Sequence, residues 1–203
     1  MKKETIERRR KEIFEAALEV FAKKGFDKAT LDEIAEKLNI TKPALYIYFK
    51  SKEELFCSMV EDKLKKLGTG LKQIFKAKIS SLEKLKKVIE YHINFNKENL
   101  DFFKVVHNAK LKIGSDEKTR LRNELLKKYK KYTEKLSSLV QQCINDGHLK
   151  KDDKYFYTFA LLGMINQNIF GNILFRKEKL IETLDKKVFN LFLKGAQAKN
   201  ENT

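Results

Sequence analysis

At 203 residues the chain is long enough for one or two domains with a real core; one proline, eight glycines, no tryptophan and 35% charged residues point to an all-α protein. The formal net charge of +16 favours nucleic acid only weakly, because residues 1–50 hold 12 Lys and Arg against nine Asp and Glu, whereas residues 61–150 hold 22 against 11. No run of about 18 uncharged apolar residues occurs, so no membrane span is expected, and the lysine-rich start lacks the apolar stretch of a secretion signal.

The first predicted helix covers residues 6–24, with Ile13, Phe14, Ala17, Leu18, Val20 and Phe21 as its apolar stripe and Gly25 as its stop. Arg8-Arg9-Arg10-Lys11 near its start reads either as a basic arm near DNA or as a solvated helix start paired through Glu4–Arg8 and Glu7–Lys11. Three helix starts then fall within Thr30–Leu55. Thr30 with Glu33, and Ser51 with Glu54, have capping-box spacing, while Thr41 can cap a third helix with Pro43 in its first turn. The implied helices are Leu31–Leu38, Lys42–Phe49 and one from Lys52 onward, with Asn39-Ile40-Thr41 as the turn. Leu31, Ile34, Ala35 and Leu38 share a face, Ile40 plugs the turn, and Leu45 and Phe49 face inward. A helix, short turn and second short helix form a helix-turn-helix, whose second helix lies in the DNA major groove. Lys42, Pro43, Ala44, Tyr46, Ile47 and Tyr48 remain on or near the outer face; a generic three-helix packing unit is the bland alternative.

Beyond Lys52 further helices follow, with no strand-like alternation. One runs from Lys52 to Leu67 or past Gly68 and Gly70, and the next opens at the Ser80–Glu83 capping pair. Asn99 caps a shorter one that stops near Gly114, and Ser115 starts a long one ending at Gly147. Asp152 or Asp153 caps an apolar helix to Phe175, and the last helix spans Glu178–Gly195. Tyr155–Phe175 is apolar almost all round and must be buried on more than one side. Its expected partner is the stripe Leu180, Leu184, Val188, Leu191 and Phe192; two such helices from each of two chains would make a four-helix bundle. Gly163, Gln167 and Gly171 recur every four residues, which permits a close helix crossing. The alternative is that this pair merely closes the monomer core.

Residues 10–60 resemble the N-terminal domain of the TetR/AcrR family of transcriptional regulators. The resemblance rests on Ile13, Ala16-Ala17, Phe21, Gly25-Phe26, Thr30, Ile34-Ala35, Leu45-Tyr46, Tyr48-Phe49, Ser51-Lys52 and Glu54-Leu55. The chain departs from it at Leu38-Asn39, where Ala-Gly is frequent, and at Pro43-Ala44, where Gly-Thr is. Asn tolerates the left-handed backbone that Gly would supply, whereas Ala44 lacks a hydroxyl that could touch DNA. The resemblance implies an N-terminal three-helix helix-turn-helix DNA-binding domain over residues 1–51 and a larger helical ligand-binding and dimerisation domain over residues 52–203. On the DNA side, Thr30 would donate to a phosphate while capping its helix, and Thr41 would lie beside the duplex. Lys42 would read a base edge, Pro43 and Ala44 would make apolar contacts, and Tyr46, Tyr48 and Lys52 would bind the phosphate backbone. Ile47 is left between a base and the core.

The resemblance also implies dimerisation through the last two helices, assigned here to Gly163, Gln167, Gly171, Leu184, Val188, Leu191 and Phe192, and a palindromic double-stranded operator. It implies a pocket among the middle helices. The candidates are Tyr91, Phe95, Phe102, Phe103, Val106, His107, Leu125, Tyr129, Met164, Asn168 and Phe170, with His92 and Tyr132 beside them; residues of these types in such helices are more often plain core. The polar trio Asn166-Gln167-Asn168 within an apolar helix needs partners. No acidic residue falls between Asp153 and Glu178, which argues for a small neutral or anionic lipophilic effector such as an acyl chain or an aromatic. The three histidines lack metal-ligand spacing, and no metal or cofactor is expected. Cys57 and Cys143 fall on separate helices, as two reduced thiols or, less simply, a redox switch.

No P-loop, HExxH, CxxC or GxSxG pattern occurs, which disfavours an enzyme with an accessory DNA-binding head. The expectation is a cytoplasmic, homodimeric, ligand-responsive regulator, a repressor released by its effector. The alternative is a DNA-binding regulator whose C-terminal domain only dimerises or meets a protein partner.

Overall fold

The structure, a computed structural model, describes residues 2–109, 116–175 and 182–196. Among them the chain forms nine α-helices and no strand. In order these are α1 (Lys2–Lys28), α2 (Leu31–Lys37), α3 (Lys42–Tyr46), α4 (Lys52–Lys76), α5 (Ser81–Glu98), α6 (Leu100–Ala109), α7 (Asp116–Asn145), α8 (Lys154–Leu174) and α9 (Leu184–Ala196).

Local chemistry explains the boundaries. Gly25 interrupts α1 at φ 77°, and Gly147 adopts φ 74° just past α7, so both expected stops are present. At the start of α5 the Glu83 N–H donates to Ser80 Oγ at 3.2 Å and the Ser80 N–H to the Glu83 carboxylate at 3.4 Å. Asp153 is the residue that caps α8, accepting the Tyr155 and Phe156 N–H groups at 2.6 and 2.9 Å. Neither Gly68 nor Gly70 ends α4. Gly70 has a packing reason: a Cβ there would collide with the Tyr91 ring and hydroxyl, so the missing side chain lets Tyr91 lie on the α4 backbone. The expected stop at Gly114, the start at Ser115 and the first turn of the last helix fall outside the described residues.

The chain divides into two compact units. One comprises residues 1–64 with Asn99–Lys128, the other Lys65–Glu98 with residues from Tyr129 onward, so α4 and α7 each contribute to both. In the first unit Ile13, Ala17 and Phe21 of α1, Ile34 of α2, Leu45, Phe49 and Leu55 form one core, joined by Val105 of α6. Phe21, Phe26 and Phe56 meet with ring centroids 4.9–6.1 Å apart. Each such buried ring or branched side chain contributes about 1.5–3 kcal/mol of transfer free energy.

In the second unit α5 packs on α8 and α9, and α8 on α9. Buried Leu85, Ile89 and Ile93 of α5, Leu161 and Ile165 of α8, and Leu184, Val188 and Phe192 of α9 form its interior. Tyr157 and Phe192 meet edge to face at 6.0 Å. α5 and α7 run antiparallel, tied by Ser81 Oγ donating to the Asp146 carboxylate and by Tyr132 Oη to His92 Nδ1 at 2.8 Å. Cys57 and Cys143 are free, buried thiols; burial pushes Cys57 up to about 11 and raises Cys143 as well, so both stay protonated. No helix among the described residues is long and apolar enough to cross a membrane.

Candidate nucleic-acid interface and effector site

The first unit holds a helix-turn-helix whose geometry follows from its caps. The Thr30 hydroxyl oxygen accepts the Glu33 N–H at 3.3 Å, and the Thr30 N–H donates to the Glu33 carboxylate at 3.1 Å. That leaves the Thr30 hydroxyl proton free to donate outward. Glu33 is held below the usual carboxylate range, first by its bond to Lys24 and then by Thr30. Asn39 occupies φ 52°, the left-handed turn expected of it, and the Ile40 N–H returns to the Ala35 carbonyl at 3.0 Å. Thr41 Oγ accepts the Ala44 N–H at 3.4 Å, and Pro43 sits in the first turn of α3.

α3 is shorter than expected, ending at Tyr46, with the Tyr48 and Phe49 N–H groups closing onto the Leu45 carbonyl at 3.0 and 3.1 Å. Leu45 and Phe49 are fully buried. Ile47 is 82% exposed, so it faces away from the core, and Tyr46 is 42% exposed. Tyr48 packs its ring against the core and is half-buried, as is Ala44; Lys42 and Pro43 are exposed.

Two lysines of this surface are already engaged. Lys42 Nζ meets the Asp32 carboxylate at 2.8 and 2.9 Å, and that hydrogen bond raises its pKa. Lys52, expected on phosphate, instead donates to the carbonyls of Phe26, Asp27 and Ala29 at 2.7, 3.0 and 2.9 Å, with its ammonium 4.7 Å from the Phe26 ring centroid. All three ammonium hydrogens are thereby used. These carbonyls need a partner because α1 breaks at Gly25 and ends at Lys28. The basic start of α1 is helical from Lys2: Arg8 and Arg9 pair with Glu12, and the Arg10 guanidinium lies 4.5 Å from the Phe49 ring centroid. Glu12 is the carboxylate that Arg8 and Arg9 share.

The effector candidates divide between the units. Phe102 and Val106 pack against the first unit's core beside α1, and Phe103 stacks on His107 at 6.3 Å. In the second unit Tyr91 and Phe95 are ring neighbours at 6.3 Å, as are Tyr129 and Tyr132. Met164 and Phe170 are half-buried. Asn168 is exposed and donates to the Met164 carbonyl of its own helix at 2.7 Å, so it is satisfied on the surface and needs no interior partner. Leu125's side chain lies outside the described residues. The buried polar groups are others. His92 is held down to about 4 by burial and is neutral, and Asn96 Nδ2 is buried without a hydrogen-bond partner among the described residues. Burying such a donor unpaired costs about 1–3 kcal/mol. No cluster of three His, Cys, Asp or Glu suited to a metal occurs among the described residues.

The last two helices need a correction. Leu184, Val188 and Phe192 are buried inside the monomer against α5 and α8, because this stripe closes the chain's own core. The exposed apolar face lies elsewhere: Phe156 at 61%, Phe159 at 54%, Leu174 at 61% and Leu191 at 65%. Gly163 and Gln167 are exposed on α8, and a Cβ added at Gly163 or Gly171 would meet nothing within 4 Å. Phe156, Phe159, Gly163, Gln167, Gly171 and Leu174 recur every three or four residues, which is one helix face.

Known proteins match this arrangement. Residues 13–59 match the bacterial regulatory proteins of the tetR family, and residues 78–169 the tetracyclin repressor-like C-terminal domain. A solved structure of a candidate fatty acid metabolism regulator from Clostridium perfringens is 30% identical, with a TM-score of 0.79 over 93% of this chain and 100% of that one. The chain belongs to the TetR family. It is therefore a DNA-binding transcriptional regulator built on a helix-turn-helix. The fatty acid metabolism regulator protein of Bacillus subtilis is 25% identical over 191 residues, spanning 93% of this chain and 95% of that protein. The transcriptional regulator FadR from Bacillus subtilis, solved in complex with stearoyl-CoA, shares the fold with a TM-score of 0.78 at 24% identity, over 92% of this chain and 98% of that one.

Three features of this TetR-family chain escaped sequence reasoning. Phe156 and Phe159 were not singled out, because the α8 run is apolar on every side. Asn96 had no local signal, since an amide next to Phe95 reads as a surface residue until burial is known. Lys52's carbonyl partners lie more than twenty residues away in sequence and converge only after folding.

Proposed function

We propose that this TetR-family regulator is a repressor that binds a palindromic operator as a homodimer and leaves it when an acyl-bearing lipophilic effector binds. The observation that carries the DNA half is the outer face of α3, presented on a doubly capped scaffold. Lys42 reads a base edge by exchanging Asp32 for guanine acceptors; Pro43, Ala44 and Ile47 supply apolar contacts. Thr30, Thr41, Tyr46 and Tyr48 hold phosphates, and Lys52 acts indirectly by fixing the end of α1.

Homodimerisation is supported by the exposed face of α8 with Leu191 of α9. A large apolar face of this kind is unfavourable in water and favours a two-fold partner, and a two-fold protein matches a two-fold operator. The acyl effector is supported by the relatives named for fatty acid metabolism and by the fold neighbour that carries stearoyl-CoA. The unpartnered Asn96 amide supplies a donor for an effector carbonyl. Repression is relieved when the effector prefers the form of the dimer that does not fit the operator. Such a protein works where the DNA is, in the cytoplasm.

The test is operator affinity, measured by fluorescence anisotropy on DNA recovered by selection, with and without stearoyl-CoA. A saturable loss of affinity of about tenfold or more is expected. Unchanged affinity at saturating stearoyl-CoA refutes the acyl-effector reading and leaves the DNA-binding assignment intact.

A further inference from the structure

The second unit carries a cleft of about 400 Å³ between the end of α4, the start of α5 and the middle of α7. Lys72, Lys76, Lys84 and Lys135 line it, and no carboxylate does. Half-buried Phe75 and buried Leu139 give it an apolar floor. We propose that this cleft binds the phosphorylated headgroup of the effector, of the coenzyme A type. The proposal rests on the acyl-effector reading above and extends it to a site.

Lysine is abundant in this chain, so lysines alone carry little. Other lysines find carboxylates: Lys24 pairs with Glu33, Lys37 with Glu19, Lys42 with Asp32 and Lys128 with Glu61. Among the described residues no ion pair is formed by the four cleft lysines. Ammonium groups converging on one concavity repel each other, and a polyanion turns that repulsion into attraction. Lys is a point-charge phosphate binder, and the Gln142 amide at the cleft adds a neutral donor.

Shape and place agree with charge. The volume falls in the range of small-molecule sites, about 300–1,000 Å³. Phe75 and Leu139 offer a surface for a heterocycle or an apolar linker, which a duplex phosphate backbone would leave unused. Along α5, buried His92 and half-buried Asn96, with its buried Nδ2, lie eight and twelve residues beyond Lys84, roughly 12 and 18 Å at the helical rise. One amphipathic molecule with phosphates at the lysines and its acyl carbonyl further along α5 fits that separation.

Titration calorimetry on the full-length protein tests this, with stearoyl-CoA, free coenzyme A and stearate as probes at low and high salt. The variants are Lys84→Gln with Lys135→Gln, and the charge-reversed Lys84→Glu with Lys135→Glu; thermal melts check that each folds. The expected result is stearoyl-CoA affinity reduced about tenfold or more in the Gln pair, a shallower salt dependence, and unchanged stearate binding. Free coenzyme A should bind the parent and fail to bind the Glu pair. Equal stearoyl-CoA affinity and salt slope in parent and variants would overturn the cleft while the acyl reading stands. Free coenzyme A binding lost in the Glu pair, with operator affinity indifferent to stearoyl-CoA and stearate, would support the phosphate site and refute the acyl effector. Variants that bind all three probes as the parent does but lose operator affinity would make the lysines duplex contacts and overturn the proposal.

Discussion

Two side chains carry consequences out of proportion to their size. Lys52 serves three carbonyls and lies on the Phe26 ring, so its loss should register in folding before DNA binding. Lys52→Met keeps the apolar stem and removes the charge; urea unfolding should give a stability lower by about 2 kcal/mol. A variant as stable as its parent, with a reduced salt slope of operator binding, would return Lys52 to the phosphates. His92 is held neutral by burial, its pKa depressed from 6.5 to about 4. Between those values the unfolded chain binds a proton that the folded chain refuses, so the folded state is most favoured above the ordinary value and loses ground as pH falls through that window. The loss approaches roughly 3 kcal/mol by pH 4. In His92→Gln that component of the acid slope should vanish, measured as the difference in urea midpoint between variant and parent across pH.

At the scale of elements, the turn between α2 and α3 and the outer face of α8 are the parts most open to test. Asn39 adopts φ 52°, which a β-branched residue resists. Asn39→Val should destabilise the helix-turn-helix by about 1–2 kcal/mol, whereas Asn39→Gly should be close to neutral in a thermal melt. On α8, Phe159 is exposed within the monomer, so Phe159→Glu should leave the fold intact. Light scattering should then report the mass of one chain instead of two; a mass still doubled would place the dimer contact elsewhere. The buried stripe of α9 should respond differently: Val188→Glu would bury a charge inside the monomer and should unfold the second unit instead of parting two folded chains.

For the whole molecule, the proposed function makes regulation a coupling between the reading surface and the effector site. The coupling is reciprocal, so if stearoyl-CoA weakens operator binding by a given factor, operator DNA must weaken stearoyl-CoA binding by the same factor. Calorimetry of stearoyl-CoA against the free protein and the operator complex checks this; a one-sided effect would mean that the ligand competes through aggregation or the lipid phase. The net charge of +16 adds a sequence-independent attraction to DNA, whereas on the proposed reading specificity depends on the few side chains of α3.

How much was legible in the residues follows from the range of each interaction. Helix starts at Thr30, Thr41 and Ser80, and stops at Gly25 and Gly147, are decided within four residues by caps and backbone freedom, so the amino-acid order alone determined them, whereas the choice of Asp153 over Asp152 as the α8 cap came from the structure. The inward faces of α1 to α4 were legible for the same reason: one small unit leaves each stripe only one place to go. Tertiary structure decided what an apolar stripe packs against. It sent Leu184, Val188 and Phe192 into their own monomer, left Phe156 and Phe159 outside, and placed Phe102 and Val106 beside α1. It also decided which charges are spent, binding Lys52 to the carbonyls at the end of α1 while gathering Lys72, Lys76, Lys84 and Lys135 from three helices around one cleft. Periodicity records that a face is buried, but the identity of its partner is a long-range property, set only when distant segments compete for the same surface.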